Sequence, residues 1–342
     1  MNYLIFRTDR IGDFLLIRSL IKAIKHNNEN NKIYVVASKK NYNFIKDTNL
    51  VDKIFLYTSG TKNRFLLFKK LKAIKYDHII ISDKKNRSII FSLFLKCNNK
   101  IFNTSKKFLF FLLKIFYKNV FLDNDKVKDK DLSSLLNDNF DSLGIIKHKN
   151  YNMLFPDDFF SKYYLKKDLP ILIKNSYIVL HMDEKWELEN YSKEYKKAQN
   201  FTDISPNISD FNEFLTSIIK KTGMNLIITT GNIKTKIIEE FKVKMSKNKG
   251  YHEKTILNNS CILIDDLDFL STAEIISKSK SLICCHGAFI HIAANYNINL
   301  IDIFEKNKKD HYLKITNSIK NYSFVYRGNF NLMCKDIIKA LN

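Results

Sequence analysis

The sequence predicts an α/β protein of two domains, each with a parallel sheet covered by helices on both faces. Three observations carry that prediction. The chain has 342 residues, more than a single core usually takes. Short apolar runs alternate with amphipathic stretches, and the alternation stops and then restarts in the second half. The strand-like runs are apolar almost throughout, as strands buried on both faces are.

The first alternation opens with Tyr3-Leu4-Ile5-Phe6, followed by a helical stretch over 14–26 with Phe14, Ile17, Leu20, Ile21 and Ile24 at helical spacing. Strands are expected at 32–38, 51–57 and 76–83, and helices at 41–47, 63–75 and 86–96. Residues 106–122, "KKFLFFLLKIFYKNVFL", are apolar at most positions, and every charge is a lysine. They read either as a buried helix or as one lying on an anionic membrane face, with Lys106, Lys107, Lys114 and Lys118 at the headgroups. Residues 123–170 are mixed and charged, and a linker is expected near 160–172.

The second alternation starts with a strand at 176–183. A helix over 207–222 then ends at Gly223, a C-cap signal. "NLIITTG" (225–231) reads as strand into glycine, and 232–248 as a helix. A strand at 261–266 and a helix at 268–279 lead to "SLICCHGAFIHIAANYNINLIDIF" (281–304), read as strand, turn, helix, strand. A closing helix is expected at 331–341. The domains expected are 1–165 and 166–325, with 326–342 as a C-terminal helical tail. In open α/β sheets ligands sit beyond the carboxyl ends of the strands, so two such domains leave a cleft for them.

Composition narrows the class. Apolar residues make up 45 % and prolines number only 3, which argues for real cores without long disordered linkers. Five cysteines form no CxxC pair, and the pattern fits reduced thiols in a cytoplasmic protein rather than a disulfide framework or zinc site. Arg7, Asp9, Arg10 and Asp13 interrupt the first apolar run, so no secretory signal is expected. The net charge is +22 and is unevenly placed: residues 1–170 carry 33 Lys/Arg against 16 Asp/Glu, residues 171–342 carry 24 against 19. A basic first half favours an anionic partner: a phosphorylated substrate, an anionic membrane or nucleic acid.

Candidate chemistry sits at strand-to-helix joints. At Arg10-Ile11-Gly12-Asp13, glycine permits positive φ and close approach of a ligand. Asp13 reads as a helix N-cap or as a general base toward a hydroxyl, with Arg7 and Arg10 supplying positive charge for an anionic ligand. In "HMDEKWE" (181–187), Lys185 beside the single tryptophan can neutralise a phosphate. At Cys284-Cys285-His286-Gly287-Ala288-Phe289-Ile290-His291, small residues between strand and helix leave backbone N–H groups for a diphosphate, while the two adjacent thiols read as inert. Thr230 and Gly231 form a fourth joint where a nucleotide can lie close. The spacing of His286 and His291, without carboxylate neighbours, disfavours a metal site. No GxGxxG follows the first strand and no P-loop lysine motif occurs, which disfavours dehydrogenase and P-loop readings.

Taken in order, "FRTDRIGDFLLIRSLIKAIK", "VDKIF", "DEKWE", "NLIITTG" and "LICCHGAFIHIAANYNINLIDIF" resemble the motifs of glycosyltransferase family nine, the heptosyltransferase family of lipopolysaccharide core synthesis. The resemblance implies the GT-B fold, two Rossmann-like domains. It also implies inverting, metal-independent transfer from a nucleotide diphosphate sugar, typically ADP-heptose, to a lipid-linked or phosphorylated saccharide on the cytoplasmic face of the inner membrane. It makes Asp13 the general base and places Arg7, Arg10 and Gly12 on the acceptor side. Lys185, Thr230, Gly231, His286, Gly287, Ala288 and His291 become donor contacts. No cofactor is implied beyond the nucleotide sugar as co-substrate. The chain departs from the family in one place: aligned on His291, the family's Asp-Ser/Thr-Gly becomes His286-Gly287-Ala288. An imidazole is not equivalent to a carboxylate that accepts hydroxyl protons, so the departure leaves the donor sugar open. Two other readings stand beside the transferase: a catalytically degenerate nucleotide-sugar-binding protein and a basic nucleic-acid-binding protein. The second lacks an RNP-like or helix-turn-helix signature, so no nucleic acid is expected.

Overall fold

The computed structural model describes residues 1–122, 139, 141–144, 176–187, 204, 206–317 and 319–341. The expected linker at 160–172 lies outside them. The chain divides into two compact units, Met1–Leu154 and Phe155–Asn342.

Over residues 1–122 of the first unit six strands, β1 (Asn2–Arg7), β2 (Lys32–Ser38), β3 (Lys53–Tyr57), β4 (Tyr76–Ile81), β5 (Cys97–Thr104) and β6 (Val120–Leu122), alternate with five helices, α1 (Ile11–Asn27), α2 (Tyr42–Thr48), α3 (Thr61–Lys72), α4 (Asn86–Leu93) and α5 (Lys107–Phe116). The sheet is parallel throughout, in the order β3-β2-β1-β4-β5-β6. β1 is central and covered on both faces, with Tyr3, Leu4, Ile5 and Phe6 all buried. α1 turns Phe14, Leu15, Ile17, Leu20, Ile21 and Ile24 into the core, the stripe that helical spacing predicts. The strand order reverses at β1, so the carboxyl ends of β1 and β4 flank a topological switch point, where open α/β sheets hold ligands.

Residues 106–122 do not form a single buried helix. α5 stops at Phe116, and 120–122 add strand β6 at the sheet edge. Leu113 is the one buried residue of α5, while Phe108, Phe111, Ile115 and Phe116 are 66–80 % exposed. β5, too polar at its start to read as a strand, pairs with β4 and carries the edge outward.

The second unit contains β7 (Tyr177–Met182), α6 (Ile208–Thr222), β8 (Asn225–Thr230), α7 (Lys236–Val243), β9 (Ser246–Asn248), β10 (Tyr251–Ile256), β11 (Asn259–Ile264), α8 (Phe269–Ser277), β12 (Ser281–Cys285), α9 (Phe289–Asn295), β13 (Asn299–Phe304), α10 (Lys309–Thr316), β14 (Tyr322–Tyr326) and α11 (Phe330–Ala340). The sheet order is β14-β13-β12-β7-β8-β11-β10-β9. It is parallel from β14 to β11, but β10 runs antiparallel to both β11 and β9, so this sheet is mixed rather than purely parallel. The reason lies in two tight turns: Leu257 and Asn258, at φ 48° and 66°, turn β10 back onto β11, and Gly250, at φ 89°, turns β9 into β10. Gly223 caps α6 in the left-handed conformation, φ 64°, as the sequence predicts. Trp186 is fully buried in the core and its indole N–H donates to the His181 carbonyl at 3.0 Å, so the tryptophan beside Lys185 is a packing residue. Here the order reverses at β7, and the switch point lies between the tips of β7 and β12.

Candidate active site

In the first unit the site forms where the chain leaves β1. α1 begins at Ile11, with Arg10 as N-cap, so Gly12 lies inside the first turn and needs no left-handed conformation. Asp13 is therefore not the N-cap but the third residue of the helix. Its Oδ2 accepts the Arg10 N–H at 3.1 Å, the half of a capping box that an arginine N-cap, which carries no acceptor, allows. Its Oδ1 lies 3.5 Å from the Arg7 guanidinium, and the side chain remains 40 % exposed. Arg7 itself is buried. Its Nε donates to the Asp13 carbonyl at 2.8 Å, its guanidinium also donates to the Ser82 carbonyl, and it pairs with Asp9 at 3.3 Å. It thus ties the β1 tip, the helix start and the β4 tip together.

A buried carboxylate, Asp83, locks the same junction. Asp83 accepts from Thr8 and, at 2.7 Å, from the Ser88 hydroxyl. Lys85 Nζ donates to the Thr8 carbonyl at 2.8 Å, and Arg87 to the Thr8 hydroxyl at 3.0 Å. Over these groups opens a cavity of about 520 Å³. Asp9 and Asp13 line it together with six cations: Arg10, Lys39, Lys40, Arg64, Lys85 and Arg87. Burial lifts the Asp9 carboxyl to about 6; Arg7 opposes the shift and Asp13 and Asp83 add to it. A larger concavity of about 640 Å³ lies along β3 and α3, but no carboxylate lines it, so it offers no base.

In the second unit three strand tips converge. Asp183, just past β7, caps the following turn by accepting the Lys185 N–H at 3.1 Å, and pairs with Lys185 Nζ at 2.7 Å. Burial opposes the charge on Lys185, but Asp183 outweighs it and the ammonium's pKa is raised. Gly231, after β8, packs so closely that a Cβ there would lie 3.2 Å from the Asp183 Cβ. Gly287, after β12, packs on the ammonium: a Cβ would lie 3.0 Å from Lys185 Nζ. The structure thus brings Lys185, Gly231 and Gly287 to one point around Asp183. His286 stands beside them, its Nδ1 2.7 Å from Asp302 on β13. Thr230 is buried, Ala288 precedes α9, and His291 lies half-buried within that helix. Burial raises the pKa of both the Cys284 and Cys285 thiols, which keeps them protonated, as their inert reading requires.

Asp9, Asp83, Asp183 and Asp302 are functional-looking groups that sequence reasoning alone does not single out. Asp9 and Asp183 lie within the strand-to-helix joints, and adjacency to Arg7 and Lys185 is the available signal. Asp83 and Asp302 reach their partners across the sheet, 75 and 16 residues away, and carry no local signal.

No family model matches the sequence, and no curated protein matches it either. Solved structures do. The family 9 glycosyltransferase from Veillonella parvula superposes with a TM-score of 0.67 at 12 % identity, covering 100 % of this chain and 91 % of that one. The E. coli ADP-heptose lipopolysaccharide heptosyltransferase II gives a TM-score of 0.70 at 11 % identity, covering 100 % and 98 %. The chain has the GT-B fold. A wider relative in shape is the UDP-GlcNAc 2-epimerase from Methanocaldococcus jannaschii, with a TM-score of 0.52 at 12 % identity over 99 % and 92 % of the two chains. Within the GT-B fold, both clusters of this chain occupy switch points of their sheets, at the carboxyl ends of the strands.

Proposed function

We propose that this protein is an inverting, metal-independent glycosyltransferase. The observation that carries the reading is Asp13: a carboxylate held by the Arg10 N–H and half open to a cavity rimmed by six cations. Such a carboxylate is placed to take a proton from a hydroxyl of an anionic acceptor. As that proton moves to Asp13, the acceptor oxygen bonds to the anomeric carbon of a nucleotide diphosphate sugar. The bond from that carbon to the diphosphate breaks, the nucleoside diphosphate leaves with the electron pair, and the single displacement inverts the centre. The second unit binds the donor: Lys185 meets the diphosphate, with Gly231 and Gly287 admitting it close to the backbone. Lys185 supplies there the positive charge that a bound metal contributes in other transferases.

The acceptor is a phosphorylated, lipid-linked saccharide of the cell envelope, met at the cytoplasmic face of the membrane. Its anionic character matches the cavity's cations. α3, α4 and α5 share one core cluster under the sheet through Leu67, Ile89 and Leu113, and turn Phe65, Phe94, Phe108, Phe111, Ile115 and Phe116 outward. Residues 53–122 contain 16 Lys/Arg and only Asp77 and Asp83 as acids. Exposed aromatics among lysines suit an anionic lipid surface. Among the described residues no helix is long and apolar enough to cross a membrane, so the association proposed is interfacial.

A thermal-shift screen of ADP-, GDP-, UDP- and CMP-linked sugars tests the donor assignment, since a ligand that binds only the folded state raises the melting temperature. One nucleotide class should stabilise the protein and then yield a glycoside of inverted anomeric configuration with a phosphorylated glycolipid acceptor. Stabilisation with no transfer to any acceptor supports the degenerate binder instead. Release of a free epimerised sugar supports an epimerase.

A further inference from the structure

The larger concavity of the first unit, about 640 Å³, follows the open edge of its sheet. β3 ends the strand order, and among the described residues only β2 pairs with it. The Lys32 N–H donates to the Met1 carbonyl at 2.8 Å and the Asp52 N–H to the Ile33 carbonyl at 2.9 Å, so even residues of β2 face β1 and odd ones face β3. In a parallel ladder the neighbouring strand alternates in step, so Lys53, Phe55 and Tyr57 bond to β2. The N–H and C=O groups of Ile54 and Leu56 then point to the open edge, and among the described residues they make no hydrogen bond. Apolar side chains flank them, with Leu56 and Leu66 37 and 46 % exposed. Lys53 and Lys70 line the same groove, and no carboxylate does. Asp52, beside Lys53, is already held by Lys25 at 2.8 Å and Lys32 at 3.2 Å. The groove adjoins the cavity that holds Asp13: Thr58 lines both, and Asn63 and Arg64, neighbours in the first turn of α3, line one each. From Thr58 back to Lys53 the strand runs about 16 Å.

We infer that this groove holds the sugars of the acceptor that precede the reacting one, so that the acceptor is an anionic oligosaccharide and not a single sugar. The assignment rests on the transferase reading and adds to it the length of the acceptor. A hydrocarbon chain laid along the edge would bury the free N–H and C=O groups without partners, which is costly. Hydroxyl groups donate and accept, so a saccharide satisfies both kinds of group while its ring faces cover Leu56 and Leu66. Lys53 and Lys70, toward the end away from Thr58, meet a phosphate or carboxylate on an earlier sugar. A second copy of this chain paired along the edge would set these lysines against each other. An extended peptide could satisfy the backbone equally well, but continuity with the cavity of Asp13 favours the acceptor.

Amide hydrogen exchange of the full chain, read by NMR, tests this. The probes are phosphorylated mono-, di- and tetrasaccharides from deacylated lipopolysaccharide, with poly-glutamate as the peptide control. The tetrasaccharide should bind about tenfold tighter than the monosaccharide and slow exchange at the Ile54 and Leu56 amides, which the monosaccharide should leave open. Lys53→Ser with Lys70→Ser, both at exposed positions, should remove most of the gain in affinity. Leu66→Trp, filling the groove from its rim, should remove the protection of the two amides. Equal affinity for short and long saccharides, or a bound tetrasaccharide that leaves both amides exchanging freely, overturns the groove assignment, while transfer that depends on Asp13 keeps the transferase reading. Protection by poly-glutamate in place of the saccharides, or only by glycolipid with its acyl chains intact, overturns it too and gives the edge to a peptide or a hydrocarbon. If no saccharide of any length binds, both readings fall together.

Discussion

Asp9 and Asp13 stand four residues apart at the mouth of one cavity, yet their surroundings give them different behaviour. Asp13 is 40 % exposed, whereas Asp9 is largely buried and its carboxyl is lifted to about 6. A folded-state pKa above the ordinary 3.8 means the folded state holds its proton longer than the unfolded chain does. Asp9 therefore costs stability as pH rises through the window from about 4 to 6. Asp9→Asn should leave stability nearly unchanged at about pH 4 and raise it by about 1–3 kcal/mol above pH 6, read from denaturant melts. A difference that does not grow with pH contradicts this.

Two glycines of the second unit make a contrasting pair at the same scale. Gly231→Ala pushes a methyl against the Asp183 backbone and should destabilise by about 1–2 kcal/mol. Gly287→Ala meets the Lys185 ammonium and, at ordinary contact distance, the Cys285 carbonyl, so a side-chain end rather than backbone must shift; its melting temperature should fall less than that of Gly231→Ala while nucleotide diphosphate affinity drops. Equal melting temperatures for the two variants count against the close packing of Gly231 on Asp183. Asp13, Lys185 and both glycines are legible in the sequence because strand-to-helix joints announce themselves locally. The reciprocal partners, Asp83 for Thr8 and Asp302 for His286, depend on sheet register, which no local pattern encodes.

Elements are legible where they form apolar runs, whatever their place in the sheet: β3, at an edge, reads as plainly as the central β1. β1, α1, β7, α6 and β12 follow from apolar runs, helical spacing and a glycine cap. β5, β9, β10 and β14 escape sequence reading because they are polar along much of their length or only three to five residues long. The run 106–122 shows the limit of composition: one apolar stretch forms an exposed helix and a strand. Its exposed side gives the membrane reading a direct check. The protein should co-sediment with phosphatidylglycerol-containing vesicles and not with phosphatidylcholine alone, and salt should weaken the binding. Phe111→Asp with Ile115→Asp, at positions 66 and 74 % exposed, should spare the fold and weaken vesicle affinity about tenfold or more. Undiminished sedimentation of that variant removes α5 from the membrane reading.

Across the whole molecule, the alternation of strands and helices and the order of the joint motifs are enough to read the architecture, even at 11–12 % identity to the solved structures it matches. Both sheets reverse order at their first strand, β1 and β7, so both candidate clusters occupy the position that the topology reserves for ligands. Charge divides in the same sense, with the basic excess in the half that carries the cation-rimmed cavity and the aromatic helices. Together these features favour the base in the first unit and the donor in the second.

The most direct test of that division is transfer by Asp13→Asn in the full chain, with the donor that the thermal-shift screen identifies. Asparagine keeps an oxygen for the Arg10 N–H and so preserves that bond at the helix start, but it cannot accept the acceptor's proton. With Asp13 as the base, the melting temperature and donor affinity should stay unchanged and the transfer rate should fall by about 10²–10⁴-fold. Transfer at close to the wild-type rate by the folded variant would show that Asp13 is a helix cap and nothing more, and would contradict the mechanism proposed.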